Sequence, residues 1–275
     1  MIRKALPTLI AFFLVGSFVG AVSAAGPKFL NGGNKHNLSS TNTGVTYQAA
    51  PGDPLGRDTQ VCIFCHIPHN GNTDGPLWNR KASSATFARY STQTLVIRRS
   101  GVPSSYDQPN GSSRLCLSCH DGVTAGADLN ILGDVAVGGA IAFPAGKGRI
   151  DVNSISAFTD QKMKTGHHPV SFVYDAAVYQ AISSAKAGQG YKLPSNPSVK
   201  LQKINNKNWM QCTTCHDPHQ NQTAETTYPL SSRKIAPFWV LGTSGDATTD
   251  RDTVCTDCHT INRSFGIYSS PWPWP

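Results

Sequence analysis

Apolar residues are concentrated at the beginning of the chain. The stretch "LPTLIAFFLVGSFVGAV", residues 6–22, is almost continuously apolar, whereas apolar positions further along rarely recur with the period of a long helix or strand. This pattern predicts a mature chain that is mostly coil with short α-helices and little β structure. The best candidates for strands are the short apolar runs "VSFVY" and "FWVLG".

The N-terminal apolar run has the features of a secretory signal peptide. Arg3 and Lys4 precede it, and the small residues "SAAG" follow it. We therefore expect cleavage after a signal peptide of residues 1–25 and a mature single domain of residues 26–275, exported from the cytoplasm. A retained membrane anchor is the alternative, because the run approaches the roughly 18 residues that can span a bilayer.

The composition is unusual for a globular domain of this length. Glycine and proline contribute 25 and 18 residues, and charged residues make up only 15% of the chain. Such a chain has difficulty burying a conventional core of side chains. The composition therefore indicates that something other than side chains fills the interior.

The charge balance does not indicate a nucleic-acid partner. Removal of Arg3 and Lys4 with the signal peptide leaves 22 basic residues against 16 acidic ones, a net charge of +6. No block of like charges and no alternation of basic and aromatic residues, of the kind that stacks bases, is present in the sequence. We expect no nucleic-acid binding.

The eight cysteines all occur in one repeated pattern, Cys-x-x-Cys-His. The four copies are "CIFCH" (62–66), "CLSCH" (116–120), "CTTCH" (212–216) and "CTDCH" (255–259). This is the attachment signature of c-type haem, in which two thiols add to the two vinyl groups of the macrocycle and the histidine binds iron. The predicted cofactor is therefore four covalently attached haem c groups. They would be bound by Cys62, Cys65, Cys116, Cys119, Cys212, Cys215, Cys255 and Cys258.

Other uses of cysteine pairs explain less of the pattern. A disulfide or a redox dithiol does not require the histidine that follows every pair, and closed zinc sites do not call for four identical units in an exported chain. Four haems would also supply eight propionates against the net charge of +6. The macrocycles would then be the core, so the fold class is a haem-cored multihaem cytochrome.

The nine histidines divide into two groups. Those within the motifs, His66, His120, His216 and His259, would each bind one face of an iron, and the second ligand decides between electron transfer and ligand chemistry. Five others remain for the second position: His36, His69, His167, His168 and His219. Four irons need only four of them, and which of the adjacent His167 and His168 is used stays open. Met163 and Met210 are weaker candidates.

His69 and His219 each lie three residues after a motif histidine, in "CHIPH" and "CHDPH". If each segment is a helical turn, the two histidines leave the same face and cannot bind opposite sides of one iron. We therefore expect His69 and His219 to serve a neighbouring haem.

The chain has two halves with the same order of features, so we predict dihaem repeats over 26–150 and 151–275. The first half contains "KHNLSS", "CIFCHIPH", "PLWNRK" and "CLSCHD", and the second contains "GHHPVSF", "CTTCHDPH", "PLSSRK" and "CTDCHT". Each half thus provides two haem motifs and at least two further histidines.

These motifs resemble those of the multihaem c-type cytochromes of metal-reducing bacteria, and most closely the tetrahaem subunit of extracellular cytochrome filaments, the outer-membrane cytochrome E type. The resemblance implies bis-histidine haems stacked in a continuous chain that delivers electrons to extracellular acceptors. It also implies redox partner cytochromes and a homo-oligomeric filament in which one histidine ligates a haem of the next subunit. His36, or one of His167 and His168, is the candidate for that role.

Several functions compete with the filament. A monomeric periplasmic shuttle would use the same haems, and a quinol-oxidising cytochrome would require an uncleaved anchor. A reductase of a small nitrogen compound needs an open iron, whereas all four motifs are complete and enough histidines exist to close every iron. We therefore expect no enzymatic activity. The C-terminal "SSPWPWP" is a stiff aromatic segment that docks either on a partner or on its own surface.

Overall fold

The structure is a computed structural model that describes residues 34–69, 71–87, 108–124, 140–152, 158, 168–185, 190–220, 226–227, 234–235, 238–241 and 247–260. The predicted signal peptide, Met163, His167 and the C-terminal "SSPWPWP" lie outside these residues. Among the helices in the described ranges, none combines the length and apolar character needed to span a bilayer.

The helices are short, and most of them carry a Cys-x-x-Cys-His motif. Helix α1 (Gly111–His120) holds the second motif, α3 (Cys212–Cys215) the third and α4 (Ala247–Cys258) the fourth, whereas α2 (Ala176–Ala185) carries none. The first motif begins in a 3-10 turn, Val61–Phe64, which follows another 3-10 turn, Arg57–Thr59. The chain therefore becomes helical mainly where it positions cysteines.

The strands are two to four residues long and pair in antiparallel fashion. Strands β1 (Phe172–Val173), β3 (Gln202–Ile204) and β4 (Lys207–Met210) form one sheet in the order β1-β4-β3. Strand β2 (Gly190–Tyr191) pairs with β7 (His259–Thr260), and β5 (Thr226–Thr227) pairs with β6 (Lys234–Ile235). The strand expected in "VSFVY" is β1. In "FWVLG", the described residues 238–241 contribute one isolated bridge instead, from Trp239.

The apolar core of the described residues is divided into small clusters. The largest brings together β1, β4, α2 and the end of α4, through the buried residues Phe172, Tyr174, Val178, Ile182, Met210 and Cys258. A second cluster contains Ala49, Phe64 and Ile141. Buried polar and charged residues are as numerous as buried apolar ones, which is unusual for a protein interior. Side chains alone therefore form only limited local cores.

A polar clamp fastens α1 to α3 and so joins the second motif to the third. The buried Gln211 donates from Nε2 to Asn110 Oδ1 over 2.7 Å, and its Oε1 accepts the Ser171 hydroxyl over 3.1 Å. The Cys212 backbone N–H donates to Ser113 Oγ at 3.0 Å, and the hydroxyls of Ser112 and Thr213 are 2.6 Å apart. These bonds fix the two motifs against each other across the predicted boundary between the halves.

Candidate functional site

In each motif the cysteines lie in or directly after a short helical turn, and the histidine follows the second cysteine. The histidine is extended in the third motif and lies in β7 in the fourth. The backbone N–H groups of His66 and His216 donate to the carbonyls of Cys62 and Cys212 over 2.8 and 2.9 Å, whereas His120 is the last residue of α1. Residues three and four positions apart share one face of a helical turn. The two thiols and the imidazole of one motif are therefore available to one flat cofactor.

The cysteines are neither paired nor activated in the way a redox dithiol requires. All eight lie in the described residues, and all eight are free of disulfide bonds. Burial raises the pKa of Cys65 to about 12, and the neighbouring Cys119 adds to this effect. Burial likewise raises the pKa values of Cys255 and Cys258 to about 11 each. A reactive dithiol instead needs a lowered pKa. Of the third motif, Cys212 has a lowered pKa, but burial raises the pKa of Cys215, so this environment does not favour that alternative.

Cysteines of consecutive motifs lie beside one another in chain order. Cys65 and Cys119 are close enough for their charges to interact, and Cys116 hydrogen-bonds with Cys212, which raises the pKa of Cys116 and lowers that of Cys212. Burial raises the pKa of Cys215, and the charges of the nearby Cys255 and Cys258 contribute to the increase. The four motifs thus form a continuous series through the molecule.

Three of the four motif histidines face a histidine from elsewhere in the chain. The ring centres of His66 and His219 are 6.3 Å apart, those of His120 and His36 are 6.1 Å apart, and those of His259 and His168 are 6.2 Å apart. Each pair combines one histidine of a Cys-x-x-Cys-His motif with one that lies outside such a motif.

These separations match two ligands on opposite sides of one metal. With a metal–nitrogen bond of about 2.0 Å on each side and about 1.1 Å from each nitrogen to its ring centre, trans imidazoles have centres about 6.2 Å apart. Two imidazoles at a tetrahedral angle would be only about 5 Å apart by the same reasoning. The residues therefore fit an iron held between axial histidines better than they fit tetrahedral zinc.

Each of the three non-motif histidines in these pairs has a polar partner at Nδ1. The Nδ1 of His36 lies 3.2 Å from the Pro218 carbonyl oxygen, and that of His168 lies 2.8 Å from the Pro169 carbonyl oxygen. The Nδ1 of His219 lies 3.1 Å from Asp217 Oδ1. A hydrogen bond at Nδ1 fixes the tautomer and leaves Nε2 to bind a metal.

The environments of these histidines set their charge. Burial, together with the nearby His120, lowers the pKa of His36 to about 4. Burial also lowers the pKa of His168. In contrast, the hydrogen bond with Asp217 raises the pKa of His219. His36 and His168 are thus held as neutral imidazoles, the form that binds metals.

The loop around "KHNLSS" places His36 in the second half of the molecule. Asn34 donates from Nδ2 to the Gln220 carbonyl over 2.8 Å, and the His36 backbone N–H donates to Asn34 Oδ1 over 2.9 Å. Asn42 in turn holds the Asn34 carbonyl at 2.9 Å. Buried amide side chains therefore position this histidine, whose ring also stacks on Phe238 with centres 4.4 Å apart.

An aromatic ring adjoins every motif histidine, and sequence reasoning missed this role. Ring-centre distances are 5.6 Å for His66 and Trp78, 6.1 Å for His120 and Phe158, 4.3 Å for His216 and Trp239, and 5.0 Å for His259 and Tyr191. The only sequence signal was the tryptophan that follows each of the segments "PL" (76–77) and "PF" (237–238).

The structure adds a correspondence between the two halves that the sequence did not predict. The backbone of Trp78 pairs with that of His66, and Trp239 pairs with His216 in the same way. Leu77 and Phe238, which precede the tryptophans, both have left-handed backbones, with φ of 53° and 70°. Phe238–Trp239 is therefore a structural counterpart of Leu77–Trp78. The predicted counterpart "PLSSRK" lies mostly outside the described residues.

The segments after the first and third motifs are also not helical turns. The helical turn of the third motif ends at Cys215, and His216 is extended, with φ of −120° and ψ of 137°. Strand-like pairing with tryptophan replaces the helix in both copies. The helical premise for His69 and His219 is therefore wrong, although His219 does lie opposite His66 rather than beside its own motif histidine.

The other candidates have different surroundings. His69 is exposed, and His167 lies outside the described residues. Met210 is buried in the largest apolar cluster, where it is a packing residue. Within the described ranges, no three His, Cys, Asp or Glu side chains are grouped as in a closed metal site. No protein-family model and no curated protein matches this chain.

Proposed function

We propose that this chain is an exported tetrahaem c-type cytochrome that transfers electrons and does not act as an enzyme. One observation carries the proposal: three motif histidines face non-motif histidines at ring-centre separations of 6.1–6.3 Å. That spacing suits two axial ligands of one iron, and each pair includes a histidine next to a pair of thiols. The small apolar clusters give independent support, since haems would supply the missing core.

The roles of the residues follow from their positions. The eight cysteines would form thioethers with the haems, and His66, His120 and His259 would bind iron opposite His219, His36 and His168. A haem iron supplies one-electron chemistry by cycling between the ferric and ferrous states. The protein would hold both axial positions closed, so that electrons move and no substrate binds.

The order of the motifs supports an electron conduit. Thiols of the first and second, second and third, and third and fourth motifs are neighbours. The buried Arg80 strengthens the first contact, because its guanidinium donates to the Ser118 carbonyl inside "CLSCH" over 3.1 Å. Haems attached at these thiols would form one series from the first motif to the fourth.

A filament outside the cell is the assembly we favour, on the resemblance described above. His36 and His168 each face a motif histidine of their own chain, which argues against both as the ligand to a neighbouring copy. The exposed His69 is better suited to that role, with His167 as the other candidate. Redox cytochromes and extracellular acceptors would be the partners, and a monomeric periplasmic shuttle is the alternative.

The spin state of the iron tests electron transfer against catalysis. We expect the oxidised, assembled protein to contain four six-coordinate low-spin haems, and the reduced protein to bind no carbon monoxide. One high-spin haem in four, with carbon monoxide bound at that stoichiometry, would instead support the reductase. Electron microscopy of the His69→Ala protein tests the filament: we expect dispersed particles, and intact filaments would exclude His69 as the linking ligand.

A further inference from the structure

The three histidine pairs differ in what holds the non-motif ring. His36 and His168 use Nδ1 to contact backbone carbonyls, whereas His219 contacts a carboxylate, Asp217 Oδ1, at 3.1 Å. Asp217 Oδ1 also accepts a hydrogen bond from the His219 backbone N–H over 2.9 Å. The backbone and the ring of His219 therefore both hold this carboxylate oxygen in place. Of the three non-motif rings, only that of His219 therefore contacts an anionic group at Nδ1.

We propose that Asp217 is a positioning residue that makes the first-motif haem the most negative in potential of the three haems with described histidine pairs. This inference rests on the proposed function, because it needs iron between His66 and His219. A carboxylate that accepts the Nδ1 proton makes the imidazole a stronger donor, which stabilises ferric over ferrous iron. A backbone carbonyl has no net charge and exerts the same effect more weakly.

The group formed by His66, His219 and Asp217 combines residues from both halves of the chain. His66 belongs to the first half of the chain, whereas Asp217 and His219 come from "CHDPH" in the second half. The matching position in "CHIPH" is the buried Ile67, which has no charge to offer. The two halves therefore differ at the residue that would tune the potential, and an electron would meet unequal sites along the series.

The angles between facing rings provide a way to assign the haems. The planes of His66 and His219 are 20° apart, whereas those of His36 and His120 are 88° apart and those of His168 and His259 are 84° apart. Nearly parallel imidazoles interact with the same iron d orbital and split the d levels, which gives a rhombic low-spin resonance. Nearly perpendicular ones leave two levels almost equal, which gives a highly anisotropic resonance.

The test is a potentiometric titration of the holoprotein followed by electron paramagnetic resonance. In the wild type we expect the rhombic resonance to titrate at a more negative potential than both highly anisotropic resonances. A rhombic haem that is not the most negative of the three would overturn the proposal without any variant. Failure to find low-spin haem at all would instead contradict the proposed function.

The substitution Asp217→Asn removes the charge while keeping the size of the side chain. We expect the ferric-to-ferrous equilibrium of the rhombic haem to shift by roughly threefold to tenfold towards ferrous iron, about 30–60 mV for one electron. The highly anisotropic resonances should not move, and Asp217→Glu should restore part of the shift. A midpoint unchanged within error would overturn the proposal.

Asp74→Asn is the matched control. It also removes a carboxylate charge close in sequence to the first motif, but Asp74 pairs with Arg114 at 3.4 Å rather than with a histidine. We expect no shift in this variant. An equal shift in Asp74→Asn and Asp217→Asn would show a general effect of charge and would overturn the specific role of Asp217.

Discussion

Histidine positions that look alike in the sequence have different surroundings in the structure. His167 and His168 are adjacent, yet His168 is the one for which a facing motif histidine, His259, is described, with ring centres 6.2 Å apart. Its Nδ1 contact with the Pro169 carbonyl leaves Nε2 for a metal. At the residue scale, the identity of a ligand thus depends on a neighbouring carbonyl and a ring on another segment.

The pair His167 and His168 can be separated by substitution. We expect His168→Ala to convert the haem of His259 to a high-spin form and to remove one highly anisotropic resonance, because its iron loses an axial imidazole. His167→Ala is the control and should retain that resonance. Loss of it in His167→Ala, with retention in His168→Ala, would reverse the assignment.

A buried ion pair links the stability of the first half to pH. Asp53 accepts two hydrogen bonds from the Arg57 guanidinium, at 3.0 Å from Nε and 2.6 Å from Nη2, and both side chains are largely buried. The side-chain hydrogen bond with Arg57 lowers the pKa of Asp53 to about 2. The bond therefore stabilises the native state above about pH 4, and this contribution is lost as the pH falls towards 2.

For Asp53→Asn we expect a free energy of unfolding lower by about 1–2 kcal/mol at pH 7, because the Arg57 charge loses its partner. The difference from the wild type should shrink between pH 4 and pH 2. Urea titrations at several pH values measure it, with the exposed Asp151→Asn as a control. A difference that does not change with pH would contradict the assignment.

The sequence predicts the residues that would carry the cofactor chemistry, because the Cys-x-x-Cys-His spacing is the one that covalent haem requires. It did not predict that Phe238 would stack on His36 or that Trp239 would cover His216. Those contacts join segments far apart in the chain, and no local pattern encodes them. Asp217 is present in "CHDPH", but its proposed role can be inferred only from the structure, in which the ring of His219 faces that of His66.

At the scale of elements, the short helices mainly position the motifs and contribute less to an apolar core. Helices α1 and α3 meet through hydroxyls, amides and backbone groups, with Gln211 at the centre. Polar contacts of this kind are directional, so they define the relative position of two motifs more strictly than apolar packing would. The spacing between the second and third motifs thus depends on a few hydrogen bonds.

Substitution of Gln211 by Ala tests this clamp. The change leaves buried polar groups on Asn110 and Ser171 without their bonds to Gln211, so we expect a loss of about 2–3 kcal/mol in the free energy of unfolding. The exposed Gln60→Ala is the matched control and should change stability by about 0.5 kcal/mol or less. Equal urea midpoints for the two variants would exclude a structural role for the clamp.

At the scale of elements, only part of the correspondence between the two halves could be predicted from the sequence. Residue identity aligns the two CHxPH segments, but it does not show that "FW" (238–239) corresponds to "LW" (77–78). What the copies share is the left-handed residue before a tryptophan and the backbone pairing of that tryptophan with a motif histidine. The backbone geometry is the same in both copies although the residues differ, so an alignment by residue identity could not detect it.

For the whole molecule, the small clusters and the many buried polar groups of the described residues are the reason to propose that haems supply much of the folding energy. Metal and cofactor binding can supply folding free energy directly when the polypeptide lacks an adequate core. The expectation of a mostly coiled chain followed from the apolar pattern and the composition, whereas that of a haem core followed from the Cys-x-x-Cys-His motifs. The order in which the motifs contact one another could not be predicted from the sequence, because the neighbouring thiols belong to segments as distant as Cys116 and Cys212.

Removal of one haem tests this dependence. We expect Cys116→Ser together with Cys119→Ser to prevent attachment at the central second motif and to lower the amount of folded protein several-fold, since two neighbouring motifs lose their shared contact. Circular dichroism and resistance to proteolysis measure the folded fraction. The single control Ser118→Ala in the same helix should assemble normally. Full yield and protease resistance in the double variant would contradict a core made of haems.

The central claim is that this chain carries four covalently attached haems. Intact-mass spectrometry of the denatured, purified protein tests it most directly, because thioether-bound haem survives unfolding whereas a zinc ion or a non-covalent cofactor is lost. We predict the mass of the mature polypeptide plus four haem groups. A mass equal to the polypeptide alone, or to fewer than four added haems, would contradict the account.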